Sequence, residues 1–239
     1  MTGADWLSYS LQDFLMFSPE VFLRLYVRLN QDIWPGQAVF LLLALTVPWL
    51  LMRRKQSLRR GGIALVALTW ISCGFGFLWH YYGEINWPAV WFGGFFVAQG
   101  LLLASVALVS TISATPDGRK GTVWLVVGWL SAALFLPWLT VLQSGQVQAL
   151  AFVGLFPGTT VAAGSLALVL VPRPWRWPLL LLPLAWALFS AATYWTLQLH
   201  WLQGFPVATL ISIGLALWLS PRPAQSPDRR SAHRDPTRR

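Results

Sequence analysis

A chain of 239 residues with 56% hydrophobic and only 10% charged residues is not an ordinary soluble domain, in which about a quarter of residues are charged. With a mean hydropathy of +0.57, it reads as a polytopic membrane protein folded as one bundle. The net charge of +9 does not mark a nucleic-acid binder, because nearly all Lys and Arg lie in short loops between apolar runs or in the C-terminal tail.

Residues 1–17 mix polar and apolar positions; they carry Asp5 and Asp13 and no basic stretch, unlike a cleaved secretion signal. Residues 18–34 predict an amphipathic helix. Ser18 suits the cap and Pro19 the first helical position. Phe22, Leu25, Tyr26, Leu29 and Ile33 share one face, while Glu20, Arg24, Arg28 and Asp32 share the other at spacings that allow ion pairs. This helix is too polar to span and belongs at the membrane surface, lying flat or packed on the bundle.

Membrane-length apolar segments follow at about 35–52, 61–80, 88–112, 122–142, 148–171, 178–198 and 205–220, near the ~20 residues that a hydrocarbon core requires. The expected fold is therefore all-α: an external segment 1–34 with an interfacial helix, a domain of about seven transmembrane helices over 35–220, and a basic disordered tail over 221–239. The connections at 53–60, 117–121 and 172–177 are basic, whereas those at 81–87, 143–147 and 199–204 carry no Lys or Arg. This asymmetry implies that the basic loops lie in the cytoplasm, with the N-terminus outside and the C-terminus inside.

Four segments open with an aromatic residue followed by proline: Trp34-Pro35, Trp87-Pro88, Phe156-Pro157 and Phe205-Pro206. An aromatic at the interface and a proline in the first turn account for these pairs without an internal repeat. Pro157 is unusual because it lies well inside its apolar run. Either the helix over 148–171 is kinked there, or a short segment ends near Leu155 and a new helix starts at Pro157. The Trp residues mostly fall near segment ends, as an aromatic belt does; Trp70, Trp129 and Trp186 fall mid-segment.

Polar side chains near hydrocarbon ask for a partner or a purpose, and the densest group lies between Trp79 and Gln99. His80 and Glu84 are four apart and pair if the helix continues, but Gly83 permits a turn that separates them. Asn86 follows, and Gln99 lies about 11 residues, hence ~16 Å, into the next segment. It either makes one interhelical hydrogen bond or lines a cavity. Thr159 and Thr160 follow Pro157. His80 and His200 would suffice for axial haem ligation, but no haem-attachment signature is present and no cofactor is expected. The lone Cys73 excludes an intramolecular disulfide and a Cys-rich metal site. Walker, Rossmann, HExxH and GxSxG signatures are absent.

In residues 17–37, FSPEVFLRLYVRLNQDIWPGQ, 79–100, WHYYGEINWPAVWFGGFFVAQG, and 155–160, LFPGTT, the chain resembles a bacterial family of multipass membrane proteins of unknown function. The resemblance spans most of 17–220 and implies a membrane bundle in a bacterial cytoplasmic (inner) membrane without implying an activity. In the third stretch Gly158 stands where the family pattern has a further proline before the two threonines.

The expected function is a small permease or solute-binding protein with an outward-facing polar pocket, placed ahead of an intramembrane enzyme or cofactor protein. His80, Glu84, Asn86, Gln99, Thr159 and Thr160 are its candidate substrate-binding residues, and no metal site is expected. Its expected partners are the lipid bilayer and a small polar or cationic solute, and no nucleic acid. The alternative is a structural or accessory subunit beside another membrane protein. A pocket would reach Gln99; an accessory subunit would pair its polar groups locally.

Overall fold

The structure, a computed structural model, describes residues 17–112 and 118–220, with side chains from Lys120 onward in the second stretch. The expectations for residues 1–16 and for the tail 221–239 lie outside the described residues. The described residues form helices and no strands. In chain order these are α1 (Pro19–Asp32), α2 (Gln37–Leu51), α3 (Gln56–Cys73) and α4 (Trp87–Val109). After them come α5 (Gly118–Leu130), α6 (Trp138–Ser144), α7 (Pro157–Ala167), α8 (Arg173–Thr196) and α9 (Gly204–Trp218).

Among the described residues, five helical stretches are long and apolar enough to cross a membrane: Gln56–Glu84, Trp87–Val109, Lys120–Ser144, Arg173–Thr196 and His200–Trp218. The first continues α3 through a π-helical stretch, Gly74–Tyr81, and a 3-10 turn, Tyr82–Glu84. The third joins α5 to α6 through a wider turn over Ser131–Phe135. There Leu136 N–H reaches the carbonyl of Ser131 at 3.1 Å just before Pro137, which has no N–H to offer.

The remaining two of the seven expected segments are shorter. α2 has 15 residues, ~22 Å, and joins a possible sixth span only when counted with α1, from which it turns by 94°. The 148–171 segment is broken, not kinked. Residues 150–156 approach without regular helix, Phe156 is extended, and α7 starts at Pro157. With its last 3-10 turn α7 reaches only Leu170, ~21 Å. Every residue from Val153 to Val171 is buried. α7 touches α3, α5, α8 and α9, so neighbouring helices and not lipid surround it.

α1 begins as the sequence predicts, with Ser18 Oγ accepting from Val21 N–H at 3.4 Å and Pro19 in the first turn. Its apolar face is buried on the bundle. Tyr26 stacks on Phe156 at 4.5 Å and Phe22 meets Tyr82 edge-on at 5.2 Å. The mid-segment Trp70, Trp129 and Trp186 are buried, whereas Trp34, Trp87, Trp91, Trp177, Trp195 and Trp218 are exposed. One end of the bundle carries α1 and the connections around 85, 146 and 199. The opposite end carries Arg53, Arg54, Lys55, Arg59, Arg60 and Arg173.

Candidate functional site at the α1 end

His80, Glu84 and Asn86 share the α1 end, but His80 and Glu84 do not pair with each other. The π-helical winding and the 3-10 turn after it change the phase of the helix, so a four-residue spacing no longer brings two side chains together. His80 is exposed and meets the Tyr81 ring edge-on at 5.3 Å. Glu84 accepts from Arg28 Nη1 at 2.9 Å. Arg28 also lies 3.8 Å from Asp32, which accepts from the Tyr81 hydroxyl at 2.7 Å. Asn86 donates to the Tyr82 hydroxyl at 2.8 Å.

This network ties α1 to the end of the α3 span, although the ion pair is half exposed and such pairs contribute only ~0.2–1 kcal/mol. Each fully buried aromatic side chain contributes ~1.5–3 kcal/mol. The buried Phe22 and Tyr26 therefore hold α1 in place, and the charges orient it.

Gln99 is buried in α4, and its Nε2 donates to the carbonyl of Leu179 in α8 at 2.7 Å. Leu179 precedes Pro183 by four residues, so the helix itself leaves that carbonyl without a donor. The same device recurs in α2. Pro48 frees the carbonyl of Ala44, and the Trp129 indole N–H from α5 occupies it at 2.7 Å. Gln99 thus makes an interhelical bond where a proline has opened the ladder.

Thr159 and Thr160 are fully buried in the first turn of α7. Thr160 Oγ1 donates to the carbonyl of Phe156 at 2.7 Å and accepts the N–H of Gly154 at 2.7 Å. Thr159 Oγ1 donates to the same carbonyl at 3.2 Å. Both hydroxyls close the break before Pro157 inside the bundle. At the far end of α7, the buried Arg176 guanidinium donates to the carbonyls of Leu168, Val169 and Val171 and to Ser220 Oγ. Read from sequence, Arg176 is one more basic-loop residue; its burial comes from α8 folding back beside α7.

One concavity at the α1 end involves residues that the sequence reading did not single out. A cavity of about 320 Å³ lies between the end of α1, the turn into α2 and residues 147–152. Trp34, Val147, Leu150 and Phe152 give it apolar walls, and Asn30 and Gln37, each only 6% exposed, contribute carboxamides. Asn30 Nδ2 donates to the carbonyls of Gln148 at 2.7 Å and Leu150 at 2.9 Å, which fixes the orientation of the amide. Gln37 Nε2 donates to the carbonyl of Asn30. Asn30 Oδ1 and Gln37 Oε1 are buried with no partner among the described residues. A buried acceptor left unpaired costs ~1–3 kcal/mol, and neither oxygen offers accessible surface to the cavity. A signal for Asn30 was present: it stands four residues after Tyr26, a polar side chain on the apolar face of α1.

A second groove, of about 460 Å³, runs along the other side of α1 beside Glu20, Arg24, Gln143, Gln146 and Gln198. Among the described residues, no three His, Cys, Asp or Glu side chains gather as a metal site would require. No curated protein and no solved structure matches the chain. Residues 19–225, from the start of α1 to beyond α9, match the family described as Family of unknown function (DUF6064), and the chain belongs to that family.

Proposed function

We propose that this chain is a small solute-binding protein of the bacterial cytoplasmic membrane. The α1 end faces outward and the basic loops lie in the cytoplasm, as their charge requires. The binding site is the cavity between α1, the turn into α2 and residues 147–152. One observation carries this reading: a concavity of about 320 Å³ with apolar walls and carboxamide residues, Asn30 and Gln37 among them, in its lining. That volume is at the small end of the ~300–1,000 Å³ typical of ligand pockets. His80, Glu84 and Asn86 belong to the same face, whereas Gln99, Thr159 and Thr160 hold the bundle in shape behind it.

The accessory-subunit reading has its own support, the local pairing of Glu84, Asn86, Gln99, Thr159 and Thr160. A cavity-filling variant separates the two. Val147→Trp places an indole in the mouth from an exposed position, which leaves the core intact. Purified full-length protein in nanodiscs is screened by saturation-transfer NMR against small neutral and cationic solutes. The expected result is at least one solute bound by the parent protein and lost in Val147→Trp. If no solute distinguishes the two proteins, the accessory reading replaces this one.

A further inference from the structure

We infer that the outer face of α2 and the turn into α3 bind an anionic phospholipid, with its phosphate on the turn and an acyl chain along the helix. The site lies at the opposite end of the bundle from the cavity and is independent of the solute-binding reading.

Leu42, Leu45, Trp49 and Met52 recur at intervals of three and four, so they share one face of α2, and all four are exposed. Ala44, Val47, Pro48 and Leu51 take the buried face. The exposed apolar stripe runs directly into Arg53, Arg54 and Lys55. Arg53 lies over the Trp49 ring, with Cζ 4.0 Å from the ring centroid, so one cation is held at the head of the stripe. The side chains of Arg53, Arg54 and Lys55 are exposed and make no ion pair or hydrogen bond among the described residues. Arg59 and Arg60 add two charges in the first turns of α3, where Arg60 Nη2 donates to the carbonyl of Ser110 at 3.2 Å.

Nothing among the described residues offsets this charge. Their acids, Glu20, Asp32 and Glu84, all lie at the α1 end. In the sequence the connection after α4 adds Asp117, but also Arg119 and Lys120. Like charges crowded on one turn repel, and a phosphate among them relieves the repulsion. A free anion would do the same; the apolar stripe leading to the turn selects one that carries hydrocarbon. A zwitterionic lipid offers the same phosphate but brings its own cation against the arginines.

The test titrates the full-length protein in a neutral maltoside detergent with dioleoylphosphatidylglycerol or dioleoylphosphatidylcholine and counts bound lipid by native mass spectrometry. The anionic lipid should bind at least about tenfold more tightly, and added salt should shrink the preference. The triple change Arg53→Gln, Arg54→Gln and Lys55→Gln, all at exposed positions, should bring the two lipids close to equality, with a thermal melt confirming the fold. Trp49→Ala should weaken the anionic lipid while the turn keeps its charges. Arg24→Gln, which removes an exposed cation at the α1 end, should change nothing. Equal affinity of the parent protein for both lipids overturns the inference, as does a preference that salt leaves untouched. A preference that survives the triple change, or falls as far in Arg24→Gln, places the lipid elsewhere and overturns the site. Inorganic phosphate that displaces the lipid, where chloride of the same ionic strength does not, makes the turn a site for free phosphate and overturns the lipid assignment.

Discussion

Pro183 removes from α8 the backbone donor that the carbonyl of Leu179 would otherwise receive, and Gln99 supplies one from the neighbouring helix at 2.7 Å. Replacing Gln99 by Leu should therefore leave a buried carbonyl unpaired and destabilise the bundle by about 1–2 kcal/mol. In a Pro183→Ala background the helix regains its own N–H, and the same Gln99→Leu change should cost much less. A double-mutant cycle read by thermal unfolding in detergent checks this; equal costs in both backgrounds would mean that Gln99 acts elsewhere. The sequence shows Gln99 as a polar group at depth. It does not show the role, because the partner lies 80 residues away and is exposed only by a proline in a helix whose packing the sequence leaves open. Asn30 has a comparable history: its place on the apolar face of α1 was visible, but its two carbonyl partners belong to residues 148 and 150.

At the scale of the element, α7 depends on the irregular stretch before it. Gly154 adopts φ of +89°, where a side chain is strained, and an added Cβ would also press on the Phe40 ring. Gly154→Ala should destabilise by at least ~1–2 kcal/mol. Gly214 in α9 has open space around its Cα, so Gly214→Ala should be neutral or stabilising by up to ~1 kcal/mol. Melting temperatures of the two variants, measured side by side, decide the point: a harmless Gly154→Ala would mean that the turn before α7 is not the fixed device described above. An irregularity at Pro157 was legible, since a proline deep in an apolar run either kinks or breaks the helix, but which of the two was not. The enclosure of α7 was not, because a helix buried on every side has no polar face and hence no periodicity to read. α1 is the opposite case. Its two faces are distinct in the sequence, and the structure buries the expected one.

For the whole molecule, the informative asymmetry is charge. Arg53, Arg54, Lys55, Arg59, Arg60 and Arg173 gather at one end of the bundle, and Arg24 and Arg28 lie at the other, where Arg28 is neutralised by Glu84. Arg176 does not count fully toward this asymmetry, because its guanidinium is buried against the last carbonyls of α7. Five other positive charges remain between residues 53 and 60, and the proposed orientation, with that loop in the cytoplasm, rests on them. Ser57 at that end and Gln146 at the α1 end are both exposed, and the sole native cysteine, Cys73, is buried. In a Cys73→Ala background, Gln146→Cys should react with a membrane-impermeant maleimide on intact cells. Ser57→Cys should react only after permeabilisation. The reverse pattern would turn the cavity at Asn30 and Gln37 toward the cytoplasm. A guest arriving from outside would then have to cross the bilayer or the bundle first. The solute-binding reading would survive only as an intracellular one, so orientation is the measurement on which the source of any guest depends.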